Sequence, residues 1–253
     1  MSGRASGGAV KRQREQEVEE EDAPASVQVA AHAEPLSLCA SGQCATAEVP
    51  LQRAMDLVDC TSRAREAWVI LLTRGGDAED EERGFELASE GARLGCHHCQ
   101  GVVAYCLRTG LGCEKDEALS LELARKSSGR GSKYGQHTLG ELHQHGAGGL
   151  VQDHAQAVAC YRLAAAQGLD GAQYSLGDMY FNAEGVGENI AEALRWYKLA
   201  AAQGFPTALY RVAFIFDVGW GVRKNTAEAI AFYTLAFQAG LLFAAARLRD
   251  LRA

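Results

Sequence analysis

Four consecutive residues carry the side chains best suited to chemistry, Cys96-His97-His98-Cys99. Thiolate and imidazole ligands at this spacing resemble half of a zinc knuckle, and Cys39 and Cys44 could supply the other half. A second group, His137, His143 and His145 beside Glu141, has the residue types for acid–base or metal-assisted hydrolysis. Cys99, Cys106 and Cys113 recur every seven residues. Two cysteines at that step share one face of a helix and could form a redox-responsive pair. A hydrolase or zinc-binding protein built on His137, His143 and His145 or on Cys96 to Cys99 is therefore the alternative reading. Against it, the sequence has no elbow serine, no phosphate-cradling glycine loop and no Ser-x-x-Lys. Free cysteine also packs as a small hydrophobe. Cys99 aligns with Ala172, Ala208 and Ala244, so packing is the favoured account of it.

That alignment comes from a repeat. Ser175-Leu176-Gly177-Asp178-Met179-Tyr180 superposes on Arg211-Val212-Ala213-Phe214-Ile215-Phe216, and both follow Thr138-Leu139-Gly140-Glu141-Leu142-His143. The second halves match through Ala157, Ala193 and Ala229, each at a step of 36 residues. A fixed period of this size predicts stacked supersecondary units. Four clear units cover 96–131, 132–169, 170–205 and 206–241. A degenerate first repeat is expected within 49–95, and a capping helix over 242–253 with Arg247, Arg249 and Arg252 on its polar side. Residues 1–48 read as a disordered tail, polyampholytic and then rich in Ala, Ser, Pro and Gly.

Each unit predicts a helical hairpin, with apolar residues at i, i+3, i+4 and i+7 in two segments. A small residue, Ala104, Gly140, Gly177 or Ala213, would let the two helices approach closely, and Leu107, His143, Tyr180 or Phe216 would fill the space beside the crossing. Paired small residues, such as Gly219 with Gly221, would reverse the chain. Asp153, Asn189 and Asn225 are expected to cap the second helices, each with a reciprocal partner three residues on. Gly129, Gly168, Gly204 and Gly240 would take the left-handed position that ends them.

The chain of 253 residues is 47% hydrophobic with a net charge of −7, and its basic residues are scattered, which argues against nucleic-acid binding. No apolar run is long enough to span a membrane, and the first residues lack the apolar segment of a secretory signal. The 8 cysteines do not recur at equivalent positions, so reduced thiols in an intracellular, cytoplasmic or nuclear protein are expected.

The residues Ala172, Leu176, Gly177, Tyr180, Gly185, Val186, Asn189, Ala193, Trp196, Tyr197, Ala200, Ala201 and Gly204 resemble the pattern of the Sel-1-like repeat family. The family is related to the tetratricopeptide repeats, and the resemblance extends over about 64–253. It implies an all-α right-handed α/α superhelix of about five hairpins, acting as a non-catalytic scaffold or adaptor that holds a protein or peptide on its concave face. No cofactor, metal or nucleic acid is implied. By analogy with related repeats, the inward positions are Tyr105, Arg108 and Thr109; His137, Glu141, Gln144 and His145; Tyr174, Asp178, Phe181 and Asn182; and Tyr210, Phe214, Asp217 and Val218. On this reading Tyr174→Ala with Asp178→Ala would abolish capture and leave the melting curve intact.

Overall fold

The computed structural model describes residues 48–72 and 77–252. The tail expected over 1–48 lies, but for Glu48, outside the described residues. Among them there are eleven helices and no strand: α1 (Glu48–Leu72), α2 (Ala78–Arg93), α3 (His97–Thr109), α4 (Glu117–Ser128), α5 (Lys133–His145), α6 (His154–Ala166), α7 (Asp170–Asn182), α8 (Ile190–Ala202), α9 (Pro206–Val218), α10 (Thr226–Gln238) and α11 (Ala244–Arg252). Successive helices pack as hairpin pairs, and the second helix of each pair packs on the first of the next, which makes a helical-repeat solenoid. The odd-numbered helix of a pair is its A helix and the even-numbered one its B helix.

The small residues allow the contact expected of them. A Cβ on Gly140 or Gly177 would lie 2.7 Å from the ring of Tyr161 or Tyr197. Glycine there lets a B-helix tyrosine lie flat across the A helix. Tyr161 and Tyr197 are completely buried in this way, and Tyr233 is completely buried at the equivalent position of the α9–α10 pair, where the small residue is Ala213.

The turns carry two constraints where the sequence suggests one. The first position of each pair (Gly110, Gly146, Ala183, Gly219) is left-handed and ends an A helix. The second is left-handed too, but a Cβ there would collide with the preceding pair. At Gly112, Gly148 and Gly185 it would come within 2.2, 2.6 and 2.4 Å of the backbone of Glu81, Glu117 and His154. Each turn is thus wedged against the start of the previous B helix, and only glycine fits.

B-helix starts are capped as expected at Asp153, Asn189 and Asn225, and also at Asp116, whose side chains accept from backbone N–H groups three residues on. The reciprocal arrangement differs. The cap residues' own N–H groups donate to A-helix carbonyls, those of Leu107, His143, Tyr180 and Phe216. The cap therefore sews the B helix to its partner. The expected stop at Gly129 is corrected: that residue is right-handed, with φ −61, and Gly131 at φ 83 takes the left-handed position. The closing bond Ser132 N–H to Ser127 C=O matches Leu169 to Ala164, Phe205 to Ala200 and Leu241 to Ala236. The glycine just before the closing donor adopts the left-handed turn, and in this unit that residue is Gly131.

Candidate functional site

The A helices carry every position assigned to the inward face, and the structure divides those residues into three groups. The first is spent on holding the stack together. Tyr161, Tyr197 and Tyr233 donate their hydroxyls to Gln144, Asp178 and Asp217 at 2.7, 2.5 and 3.4 Å. An arginine from a neighbouring pair then reaches the same line of acids. Arg108 meets Glu141 at 2.8 Å, Arg211 meets Asp178 at 3.4 Å, and Arg247 pairs with Asp217. These ion pairs bridge α3 to α5, α7 to α9 and α9 to α11. Asp217 is only 2% exposed. Burial, together with the carboxylate of Asp178, raises the Tyr197 hydroxyl well above the usual range, so that it stays a donor. Asp178 therefore supports the fold, and the expectation that Asp178→Ala would leave the melting curve intact does not survive this geometry.

The second group is covered. His137 is buried among Trp68, Tyr105 and Tyr161, with ring centroids 6.1, 6.2 and 5.7 Å away. Its Nδ1 lies 3.7 Å from Glu141 Oε2, too far for a hydrogen bond, and neither atom has another partner. Burial lowers its pKa, against the pull of Glu141, which keeps the ring neutral at pH 7. Trp68 comes from α1 and also packs on Tyr134 of α5, 4.9 Å between centroids. The first A helix thus covers this end of the face.

The third group stays accessible. Tyr105, Thr109, Tyr174, Phe181, Tyr210 and Phe214 are partly exposed, and His145, Asn182 and Val218 are exposed. Trp220, between the turn glycines Gly219 and Gly221, is 43% exposed and packs over Phe181 at 5.0 Å. Arg211 lies against the same ring, 5.6 Å from its centroid. Sequence reasoning missed Trp220 because the turn reads first for its glycines, although an aromatic set between two of them has no helix to pack into.

The proposed chemistry does not assemble. His137, His143 and His145 leave α5 in three directions, about 240° and 80° away from the first at 100° per residue. His137 is buried and His145 exposed. Cys96 is corrected from a reduced thiol: its sulfur is bonded to that of Cys60, 36 residues earlier. It is the N-cap of α3, and its Sγ accepts from Cys99 N–H at 3.2 Å. Cys99 and Cys106 are buried free thiols, pushed up to about 11 and about 12 by desolvation. Among the described residues no group of three His, Cys, Asp or Glu could hold a metal ion. Cys39 and Cys44 lie outside them.

The Sel1 repeat model matches residues 97–132, 133–169, 171–205 and 206–241, more than half of the chain. This chain belongs to the Sel1 repeat family. Members of that family are generally helical scaffolds for protein–protein contacts. Solved structures agree on the fold. The Sel1 repeat protein from Oxalobacter formigenes is 21% identical with a TM-score of 0.57, the alignment covering 73% of this chain and 75% of that one. The protective antigen c5321 of uropathogenic Escherichia coli, which displays the same repeat fold, is 24% identical with a TM-score of 0.59, over 80% of this chain and 43% of that one. Among curated proteins no match was found. No helix among the described residues is long and apolar enough to cross a membrane.

Proposed function

We propose that this Sel1 repeat chain is a non-catalytic scaffold that captures a protein segment on the concave face formed by its A helices. The observation that carries this reading is the run of partly exposed aromatic rings Tyr174, Phe181, Tyr210 and Phe214, bordered by Trp220 and Asn182. Aromatic rings held by a rigid backbone give a partner a large contact area at small entropic cost. Binding draws on these rings and on the exposed polar tips His145 and Asn182. The acids Asp178 and Asp217 serve the stack behind them. Tyr105 and Thr109 extend the face toward α1, where Trp68 already packs, while Arg108, Glu141 and Gln144 serve the stack as the two acids do.

A second reading has its own observation. Leu163, Leu199 and Leu235 recur at 36-residue steps along the B helices and are 56, 42 and 48% exposed. A partner could lie along that stripe, beside the shallow depression lined by Ala191, Leu194 and Lys198. A photo-crosslinking residue placed at Asn182 or at Leu199 separates the two. The A-helix reading expects the partner to be labelled from position 182 only, and labelling from position 199 alone would overturn it.

A further inference from the structure

Three cysteines meet where α1 crosses the start of α3. Cys60 and Cys96 share a disulfide, and the sulfurs of Cys96 and Cys99 lie 3.4 and 3.8 Å from the Cys60 carbonyl oxygen. The two ends of the disulfide differ. Cys60 is partly exposed, whereas Cys96 is 7% exposed. Cys96 also caps a 13-residue helix, and its sulfur already accepts the N–H of Cys99. A thiolate at such a position is stabilised by that donor and by the helix N-terminus, which makes it the better leaving group.

We propose that the Cys60–Cys96 disulfide is an exchange site for thiols, with Cys60 as the sulfur attacked and Cys96 as the leaving thiolate. An incoming thiolate forms a new S–S bond to Cys60 Sγ while the Cys60–Cys96 bond breaks. The electron pair goes to Cys96, where the Cys99 N–H holds it. A second thiolate can then attack the external sulfur of the mixed disulfide. That step leaves a Cys60 thiolate and an oxidised external disulfide, so two electrons have passed to the protein. Cys99 does not compete as a nucleophile, since desolvation pushes its thiol up to about 11. The bond is the covalent link between α1 and α3. Once it has exchanged, α1 keeps its non-covalent packing through residues such as Ala64, Ala67, Trp68 and Leu71 but loses that cross-link.

Reduced glutathione is the probe. The full chain, purified without reductant, is exposed to glutathione, quenched with acid at early times, alkylated and mapped by mass spectrometry. The expected result is glutathione on Cys60 and the alkylating group on Cys96, with Cys60 favoured at least about tenfold. Glutathione chiefly on Cys96 would overturn the assignment. So would a Cys60–Cys96 bond that is absent at the outset, or one that persists in the folded chain at concentrations that reduce it in urea. Cys99→Ser keeps the backbone donor and must leave the site of attack unchanged. Loss of the Cys60 preference in that variant would also refute the proposal.

Discussion

At the scale of the residue, the clearest feature is the pairing of a missing side chain with a buried ring. Gly177→Ala places a methyl group 2.7 Å from Tyr197. Overpacking of this kind costs about 1–3 kcal/mol, to be measured as a shift in the urea midpoint at constant slope. Equal midpoints for variant and parent would show that the helices are not in contact there. Asp217→Ala leaves the Tyr233 hydroxyl without its acceptor and Arg247 with only the 3.8 Å carboxylate contact to Asp250 on its own helix. A loss of about 1–3 kcal/mol is expected, and Asp217→Asn should recover part of it. The need for smallness at Gly177 is legible in the sequence, because the position recurs. The acids read there as free surface, which the structure corrects. Their partners stand 33 residues away for Asp178 and 30 for Asp217, which is not the period of 36. An ion pair that slips off the repeat cannot be found by superposing units.

At the scale of the element, the helix starts are legible and their second role is not. Asn189→Ala removes the bond to Glu192 N–H and should cost about 1 kcal/mol. The Asn189 N–H bond to the Tyr180 carbonyl is a backbone bond and remains. A loss well above 2 kcal/mol would mean that the side chain does more than cap. The stop expected after α4 at Gly129 is two residues early; Gly168 lies 37 residues after Gly131 and 39 after Gly129, so the period of 36 sits nearer Gly131, and the closing bond agrees. The last helix follows from its sequence. Leu248 is buried at the position of Leu176 and Val212, but Arg249 replaces the small residue of Gly177 and Ala213. Arg249 is exposed there, and among the described residues no B helix follows α11. The Cys60–Cys96 bond is not legible, because it joins the long α1 to the start of α3 and has no counterpart in the other units.

At the scale of the whole molecule, burial sets a pH window. The hydroxyls of Tyr105, Tyr134 and Tyr233 are each raised from 10 to about 12, chiefly by desolvation. A raised pKa contributes stability that is complete below the unfolded value and lost as pH climbs toward the folded one. The melting temperature should therefore fall above pH 10. On the acid side His98 is lowered from 6.5 to about 4, first by burial and then by His97, Lys133 and Arg130. The folded state keeps that ring neutral while the unfolded chain protonates it. Stability should decline between pH 6.5 and 4, and His98→Gln should flatten the decline. An unchanged acid limb would show that His98 is solvated.

The fold can be read from spacing because every unit repeats one set of demands. The proposed binding face is less legible, because several of the A-helix positions that would form it already serve the stack. The most direct test of the scaffold account pairs two exposed changes at one spot, Trp220→Ala with Asn182→Ala. Capture of the partner, identified with the parent chain, should fall at least about tenfold while the melting temperature stays within about 2 °C of the parent. Undiminished capture by a variant that melts like the parent would contradict the claim that the A helices form the binding face.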